Sequence, residues 1–294
     1  MSAKLIRLVF RLLSLLSLKN AQRLGRLLGG VAWKLGGRGR SVNLTRKNLK
    51  ACYPQLDDSQ VEAMGRQSMR ETGALALEIP LMWEWPVERC LGLIREIEGE
   101  ELLDGYKAGT QGLVLLAPHL GNWELAGLYF ASRYKMAALY SPPNQEGFEE
   151  YIKSVRSRSG SELVATDRRG IMRLFSILRD KGVVGILPDQ MPRRQGGEFA
   201  PFFGIPAITM TLASKLVQKT GARPLVTYAQ RLPDSEGFKI VIREAAPGMS
   251  SKDMTESLTA LNQSVEMCIA DAPTQYQWEY KRFGRTAPGE KPVY

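Results

Sequence analysis

One histidine and one nearby carboxylate are the residues of this chain that could work together as a base. His119 is the only histidine, and Glu124 follows it by five positions. On a continuous helix the two side chains would point about 140° apart, so they converge only if His119 lies in the turn before the helix. A carboxylate bonded to one ring nitrogen fixes the tautomer and leaves the other nitrogen as a general base. The alternative is a loop histidine whose ring bonds a backbone carbonyl.

The composition narrows the chemistry that the chain can perform. A single histidine excludes zinc hydrolases with two or three histidine ligands and HExxH proteases. The three cysteines, Cys52, Cys90 and Cys268, are scattered and odd in number, which implies neither a disulfide framework nor a thiolate metal cage. No G-x-S-x-G motif precedes a predicted helix, so the attacking group would be a hydroxyl or an amine of the substrate. We expect no metal ion and no bound cofactor.

Strands alternate with helices along the chain, which predicts an α/β fold with a mostly parallel central sheet flanked by helices. The apolar run 113–117 predicts a buried strand that ends before His119, and Asn122 is a candidate N-cap for a helix over 123–134. Further strands are predicted at 93–97, 136–140, 163–165, 183–187, 225–228 and 239–242, and further helices at 57–83, 147–158, 170–181 and 253–270. Chemistry in such sheets takes place beyond the carboxyl ends of the strands.

A second strand end also has unusual residues. The run 183–187 is followed by Pro188-Asp189, which taken alone is typical of a turn, and then by Arg193 and Arg194. The segment 196–206 that comes next is too apolar for a solvated loop. It either packs on the core or lines an apolar tunnel or a membrane-facing lip.

Several arginines could bind an anion. Arg156 and Arg158 lie near the end of one predicted helix, and Arg168 lies in the cluster 167–170 that opens the next. Guanidinium groups near a helix N-terminus suit a phosphate. The alternative is an exposed, solvated helix face.

The positive charge of the chain is concentrated in positions 1–50. Of the 40 basic and 30 acidic residues, twelve basic and no acidic residues lie there, which leaves 28 basic and 30 acidic residues for the rest. Such an asymmetry is typical of an arm that binds nucleic acid or an anionic membrane. Nucleic-acid arms are less apolar than this segment, so we expect no nucleic-acid partner.

The same segment has the pattern of an amphipathic helix. Lys4, Arg7, Arg11 and Ser14 would form one polar stripe, and apolar residues cover the other faces. Because Arg7 and Arg11 interrupt the longest apolar run, we favour a helix that lies in an anionic membrane surface. A tilted span and a helix packed on the protein's own core are the alternatives. This predicts a membrane-anchoring segment over 1–40 and a single α/β domain over 41–294.

Six blocks of the sequence, in order, resemble one family. The block His119-Leu120-Gly121-Asn122-Trp123-Glu124 looks like the His-x4-Asp/Glu motif of glycerolipid acyltransferases. The flanking blocks narrow the resemblance, and they are 48–54, Asp167-Arg168, Pro188-Asp189-Gln190, 200–206, and 275–278 with 281–283. Together they are similar to the lauroyl/myristoyl transferases, the late acyltransferases of bacterial lipid A biosynthesis, over nearly the whole chain.

The resemblance implies a glycerolipid-acyltransferase-like fold. It also implies transfer of a fatty acyl chain from acyl carrier protein to a hydroxyl of a lipid A precursor, at the cytoplasmic face of the inner membrane. His119 would be the general base, and Glu124 would orient it. Arg156 and Arg168 match family arginines that we assign to the acceptor phosphate or the developing oxyanion. Asp189 matches a family aspartate and is placed with the substrate-binding residues.

One departure from the family pattern bears on the acceptor. Where relatives often have Tyr-Arg-Pro, this chain has Tyr140-Ser141-Pro142, so one anionic contact would be missing. An acyltransferase of the same chemistry with another glycolipid or amino-lipid acceptor, or with acyl-CoA as donor, is the nearer alternative. A non-enzymatic membrane-binding or nucleic-acid-binding protein whose basic arm is its function is the other.

Overall fold

The computed structural model describes residues 3–36, 39–140, 147–192 and 196–294, so Ser141, Pro142, Arg193 and Arg194 lie outside the described residues. The helices are α1 (Ala3–Leu13), α2 (Leu18–Leu35), α3 (Arg40–Cys52), α4 (Asp58–Glu84), α5 (Val87–Leu91), α6 (Asp104–Lys107), α7 (Trp123–Ala131), α8 (Phe148–Ser157), α9 (Arg168–Arg179), α10 (Leu212–Thr220) and α11 (Met254–Asp271). The strands are β1 (Ile94–Glu98), β2 (Leu113–Leu116), β3 (Met136–Tyr140), β4 (Glu162–Ala165), β5 (Val183–Ile186), β6 (Gly197–Phe202), β7 (Ile205–Met210), β8 (Arg223–Arg231) and β9 (Phe238–Glu244).

Seven strands form one central sheet in the order β1-β9-β8-β2-β5-β3-β4. Every neighbouring pair is parallel except β8 with β9. The predicted α/β class with a mostly parallel sheet is therefore confirmed. Alternate residues of β2 enter apolar clusters on opposite faces of the sheet, Val114 and Leu116 in one cluster and Leu113 and Leu115 in the other. Burial on both faces explains why this strand is a continuous apolar run.

The register of β2 with β5 decides which residues meet at the edge of the sheet. Leu116 pairs with Ile186, the last residue of each strand. His119 and Asp189 each lie three residues beyond that pair. Because neighbouring parallel strands end at the same edge, the turns that follow them lie side by side.

The apolar segment 196–206, predicted as a loop, is instead an antiparallel hairpin of β6 and β7. Ala200 and Phe202 are buried in the main apolar cluster. For these two residues, the structure agrees with the alternative in which the segment packs on the core. Gly196, just before the hairpin, lines a cavity described below.

Helices α1 and α2 belong to the segment that the sequence assigned to a membrane anchor. One face of α2 packs closely on α4. Two glycines on this face have no side chain, so the two helix backbones can approach each other. A Cβ at Gly25 would lie 2.3 Å from the carbonyl oxygen of Gly73, and one at Gly29 would lie 2.0 Å from that of Met69. The face of α2 that contacts α4 therefore agrees with the alternative of a helix packed on the protein's own core.

The other faces of α1 and α2 expose large apolar side chains. They are Leu5, Leu8, Leu12, Leu24, Leu27, Leu28, Val31 and Leu35, with Leu15 between the helices. Within the described ranges, no helix is both long enough and apolar enough to cross a membrane. Association of this surface with a membrane stays a prediction.

Candidate active site

His119 lies in the turn between β2 and α7, and its ring bonds the carboxylate of Asp189. The ring Nδ1 is 2.8 Å from Oδ1 of Asp189, and the backbone N–H of His119 donates to Oδ2 at 2.9 Å. The Asp189 side chain is 2% exposed and that of His119 is 13% exposed. One carboxylate thus holds both the ring and the main chain of the histidine.

The charge of Asp189 fixes the tautomer of the His119 ring. Burial alone would raise the pKa of the Asp189 carboxyl, but the charge and hydrogen bonds of His119 outweigh it and hold that pKa below its ordinary value. An ionised carboxylate only accepts hydrogen bonds, so Nδ1 must carry the proton. In the neutral ring Nε2 is then unprotonated and can accept a proton from a substrate.

Burial and the neighbouring Asp189 raise the pKa of Tyr276 well above its ordinary value, so its hydroxyl stays neutral.

The carboxylate that bonds His119 is not the one that the sequence spacing predicted. Glu124 lies in the first turn of α7, as expected, but it forms a bidentate ion pair with Arg156 of α8. The guanidinium Nε donates to Oε2 at 3.2 Å, and Nη2 donates to Oε1. Because Glu124 is buried, an unpaired charge there would be costly, and the guanidinium removes that cost. The sequence expectation that Glu124 bonds the His119 ring therefore differs from the structure, in which Asp189 bonds that ring and Glu124 bonds Arg156.

His119, Glu124 and Arg156 line one cavity of about 770 Å³. Most of its wall is apolar and comes from the strands β2, β3 and β5 and the helices α4, α7 and α8, and Phe10 of α1 also contributes. Its volume is typical of a ligand pocket. An apolar cavity with a base and an ion pair on its wall suits a long hydrocarbon chain that carries one reactive polar group.

Asn122 holds the backbone just after His119. Its Oδ1 accepts the N–H of Leu125 at 3.0 Å, so it is the N-cap of α7, as predicted. Its Nδ2 donates to Oε2 of Glu78 at 2.9 Å. A cap that is itself bonded to a buried charge fixes where α7 begins and where the preceding turn lies.

Glu78 connects this cap to two other elements. Arg231, at the end of β8, donates to Oε1 of Glu78 at 2.7 Å and to the carbonyl oxygen of Gly121 at 3.0 Å. Gln22 of α2 donates to the same Oε1 at 2.7 Å. The side chains of Glu78 and Arg231 are 0% and 1% exposed. The network therefore joins the His119 turn to the sheet and to the N-terminal helices.

The sequence interpretation did not identify Glu78 or Arg231. Glu78 is the only charged residue in the apolar run 74–83, and Arg231 ends a strand whose inner residues are uncharged. A lone charge in an apolar run is the signal that could have indicated a buried pair. Two cavity-lining amides, Gln190 and Gln277, bond each other at 3.3 Å and were noted only as parts of motifs.

Arg168 is not brought to the cavity wall. It is the first residue of α9 and is exposed, and the preceding Asp167 caps the helix by accepting the N–H of Gly170 at 2.8 Å. It follows β4, so it lies at the same edge of the sheet as the other candidates. Asp189, predicted to bind substrate, bonds the ring and the backbone N–H of His119.

The three cysteines are buried and form no disulfide, and burial raises the pKa of each thiol above its ordinary value. Protonated, inaccessible thiols do not suit a nucleophile. Over the ranges that the structure describes, no group of three or more His, Cys, Asp or Glu side chains could hold a metal ion. That no cofactor is needed stays a prediction.

Known proteins resemble this chain over most of its length. It is 28% identical over 272 residues to the lipid A biosynthesis palmitoleoyltransferase of Escherichia coli (strain K12), which covers 92% of this chain and 87% of that protein. It is 25% identical over 270 residues to the lipid A biosynthesis lauroyltransferase of the same organism, covering 90% and 85%. A phosphatidylinositol mannoside acyltransferase of Mycobacterium tuberculosis (strain CDC 1551 / Oshkosh) is 28% identical over 188 residues, covering 63% and 58%.

A family model described as bacterial lipid A biosynthesis acyltransferase matches residues 4–285. The match includes the turn with His119, the strand end with Asp189, and both members of the Glu124–Arg156 pair. The α/β fold and the six sequence blocks agree with it. This chain belongs to the bacterial lipid A biosynthesis acyltransferase family.

Proposed function

We propose that this chain transfers a fatty acyl chain from the thioester of acyl carrier protein to a hydroxyl of a lipid A precursor, forming a secondary acyl ester. Membership of the family supports an acyltransferase of lipid A biosynthesis. The observation that carries the finer proposal is the His119–Asp189 pair on the wall of an apolar cavity of about 770 Å³. A base beside such a cavity is what transfer of a long acyl chain to an alcohol requires.

His119 acts as the base that activates the acceptor. Nε2 takes the proton of the acceptor hydroxyl while the hydroxyl oxygen attacks the thioester carbonyl carbon. The C–S bond of the tetrahedral intermediate then breaks, and the leaving thiolate takes the proton from Nε2. The products are the ester and the free thiol of the donor, and the ring is neutral again. Asp189 stabilises the imidazolium that exists between the two proton transfers.

Arg156 supplies a positive charge inside the cavity. Its pair with Glu124 uses two of the five guanidinium N–H groups, which leaves three donors for a substrate. Burial opposes the charge, but Glu124 outweighs burial and raises the pKa of Arg156 above its ordinary value. We assign these donors to the developing oxyanion or to a phosphate of the acceptor. Arg168 is exposed and lies outside the cavity wall, so we assign it to a phosphate of the acceptor.

We place the reaction at the cytoplasmic face of the inner membrane. The exposed leucines of α1 and α2, beside basic residues, suit an anionic membrane surface. Phe10 of α1 lines the same cavity as His119, so the surface that would meet lipid lies next to the site that would use it.

Acyl transfer by the purified chain tests the mechanism. With an acyl carrier protein thioester and a lipid A precursor, His119→Ala should lower kcat on the order of 10²–10⁴-fold, because it removes the base. Thermal unfolding of both proteins checks that the variant is folded. Equal rates for the two proteins would refute the catalytic assignment. If kcat/KM with acyl-CoA equals kcat/KM with the acyl carrier protein thioester, the assignment of acyl carrier protein as the donor is refuted.

Lipid analysis tests the acceptor. Mass spectrometry of lipid A from a deletion strain should show the loss of one secondary acyl chain, restored by the wild-type gene but not by the His119→Ala gene. Intact lipid A would exclude this acceptor and favour another glycolipid, the kind of acceptor that the name of the mycobacterial relative indicates.

A further inference from the structure

A second groove lies between α2 and α4 and shares no lining residue with the cavity of His119. Its volume is about 750 Å³. The side chains that matter here are Leu27, Val31 and Lys34 of α2, and Arg66 and Arg70 of α4. They lie at helical spacings of three, four or seven residues, so each helix presents one flank to the groove.

The groove is cationic. Lys34 and Arg66 are exposed and Arg70 is half-buried, and none of the three belongs to an ion pair among the described residues. The acidic residue on its wall, Glu62, is already neutralised by Arg46, whose Nη2 donates to Oε2 at 2.9 Å. Three positive charges without a described acidic partner are thus held within one concave surface.

The groove is also apolar along one wall. Leu27 and Val31 are 60% and 44% exposed and belong to the stripe of exposed apolar residues on α2. A ligand that fills the groove would therefore meet Arg66 and Arg70 on α4, and on α2 Lys34 together with the exposed apolar residues. That combination complements an amphiphile with a negatively charged headgroup, because arginine binds phosphate by paired hydrogen bonds while the leucines contact acyl chains.

We propose that this groove binds the headgroup phosphate of an anionic membrane phospholipid, with the acyl chains of that lipid lying along the α2 stripe. Lys34, Arg66 and Arg70 hold the phosphate. The proposal rests on the membrane contact proposed above, and it gives that contact a defined site rather than a diffuse charge. Because α2 reaches Glu78 through Gln22, a lipid bound here would hold a helix that also contacts the network of the His119 turn.

Vesicle binding by the full-length chain tests the site. Wild type should sediment with vesicles of phosphatidylglycerol and much less with vesicles of phosphatidylcholine. The double variant Arg66→Gln/Arg70→Gln should bind phosphatidylglycerol vesicles on the order of 30-fold more weakly. The matched control Arg179→Gln/Lys252→Gln removes the same charge from exposed residues outside the groove and should lose no more than about twofold. Glutamine keeps the helix propensity at Arg66, Arg70 and Arg179, which lie in helices.

A variant without a charge change separates a built site from diffuse attraction. A Cβ at Gly30 would meet only Arg70, at 3.6 and 3.8 Å, so position 30 has room for a side chain, and Gly30→Leu would take up part of the groove. Occupation of the groove predicts that Gly30→Leu weakens binding about tenfold or more. A purely apolar and electrostatic surface predicts unchanged or stronger binding, because a leucine has been added, and that result would overturn the site.

The outcomes separate this proposal from the proposed function. If wild type binds neither vesicle, the membrane contact itself is wrong, whereas His119-dependent acyl transfer in detergent would still stand. If Arg66→Gln/Arg70→Gln binds vesicles like the matched control, only the groove is wrong. If that variant keeps its vesicle binding but loses transfer from acyl carrier protein in detergent, the groove receives the acidic carrier protein, and the lipid assignment falls.

Discussion

Replacement of Asp189 by asparagine tests the assignment of the base, because it keeps the side-chain shape and changes only the hydrogen-bonding groups. In the structure both carboxylate oxygens accept from His119, Oδ1 from the ring Nδ1–H and Oδ2 from the backbone N–H. Asparagine offers one oxygen and one NH2 group to these two donors. One of them must therefore face the NH2 group.

The His119 ring can move its proton to the other ring nitrogen, whereas the backbone N–H of His119 can only donate. A backbone N–H facing the NH2 group would be a buried donor without an acceptor, which costs roughly 1–3 kcal/mol. We expect the amide oxygen to take the backbone N–H of His119, and the NH2 group to donate to Nδ1. The ring proton then lies on Nε2, and the ring cannot act as a base. The same wrong-tautomer effect in a serine protease triad lowers kcat about 10⁴-fold, so we expect a loss on the order of 10³–10⁴-fold here.

The single histidine makes the tautomer directly measurable. In a protein labelled with ¹⁵N and purified without a histidine tag, every imidazole signal comes from His119. Wild type should show a protonated Nδ1 in the neutral ring, and Asp189→Asn should show a protonated Nε2. Since both hydrogen bonds between position 189 and His119 are retained, the thermal midpoint should change little while kcat falls by that factor.

Glu124→Gln is the matched carboxylate control. It should reduce activity through the loss of its charge pair with Arg156, but it should leave the proton of His119 on Nδ1. The reasoning is refuted if Asp189→Asn retains wild-type kcat, or if Glu124→Gln and not Asp189→Asn inverts the tautomer. The second result would restore the pairing that the His-x4-Glu spacing suggested.

Three further outcomes are expected. Glu78→Gln leaves the buried Arg231 without its partner, so it should cost about 3–5 kcal/mol and lower the thermal midpoint on the order of 10 °C, and Arg231→Gln added to it should recover part of the loss. Gly29→Ala should destabilise because its Cβ would overlap the α4 backbone, whereas Gly30→Ala should stabilise by roughly 0.5–1 kcal/mol, which denaturant unfolding can measure. Gly127→Leu should lower kcat/KM for the longest accepted acyl chain at least tenfold and spare shorter chains, because a Cβ at Gly127 projects into the cavity with nothing within 4 Å.

Local rules in the sequence were enough for the elements that border the site. Asn122 was predicted as an N-cap and caps α7. Asp57 likewise caps α4, and Gln60 completes its capping box. Each of these signals lies within four residues of the group that it satisfies, so the sequence contains the whole interaction.

The partner of His119 could not be found by local rules. Asp189 lies 70 residues further along the chain, and the two meet because β5 is inserted beside β2 while β3 and β4, which follow β2 in sequence, lie beyond it. That strand order depends on how helices pack on both faces of the sheet, not on residues near His119. Glu124 was the nearest carboxylate in sequence, yet its own partner Arg156 is 32 residues away.

The hairpin of β6 and β7 was missed for a different reason. Its two-residue turn has Phe203 and Gly204 with φ of 50° and 74°, both in the left-handed region. Such turns are usually recognised by Asn-Gly or Asp-Gly, and a phenylalanine in the first position gives no such signal. Packing of Phe203 against Trp278 and Tyr53, with ring centroids 6.0 and 5.3 Å apart, holds it there.

The separation of the two carboxylates has a chemical reason. Two carboxylates against one imidazole would repel each other, and the pKa of one of them would rise until it was neutral. In the structure Asp189 faces His119 and Glu124 faces Arg156, so each carboxylate has its own partner. With a neutral ring, these four groups carry one net negative charge. In the proposed mechanism, transfer of a proton to His119 brings their sum to zero at the moment when negative charge develops on the substrate, so the site would oppose that charge least in the transition state.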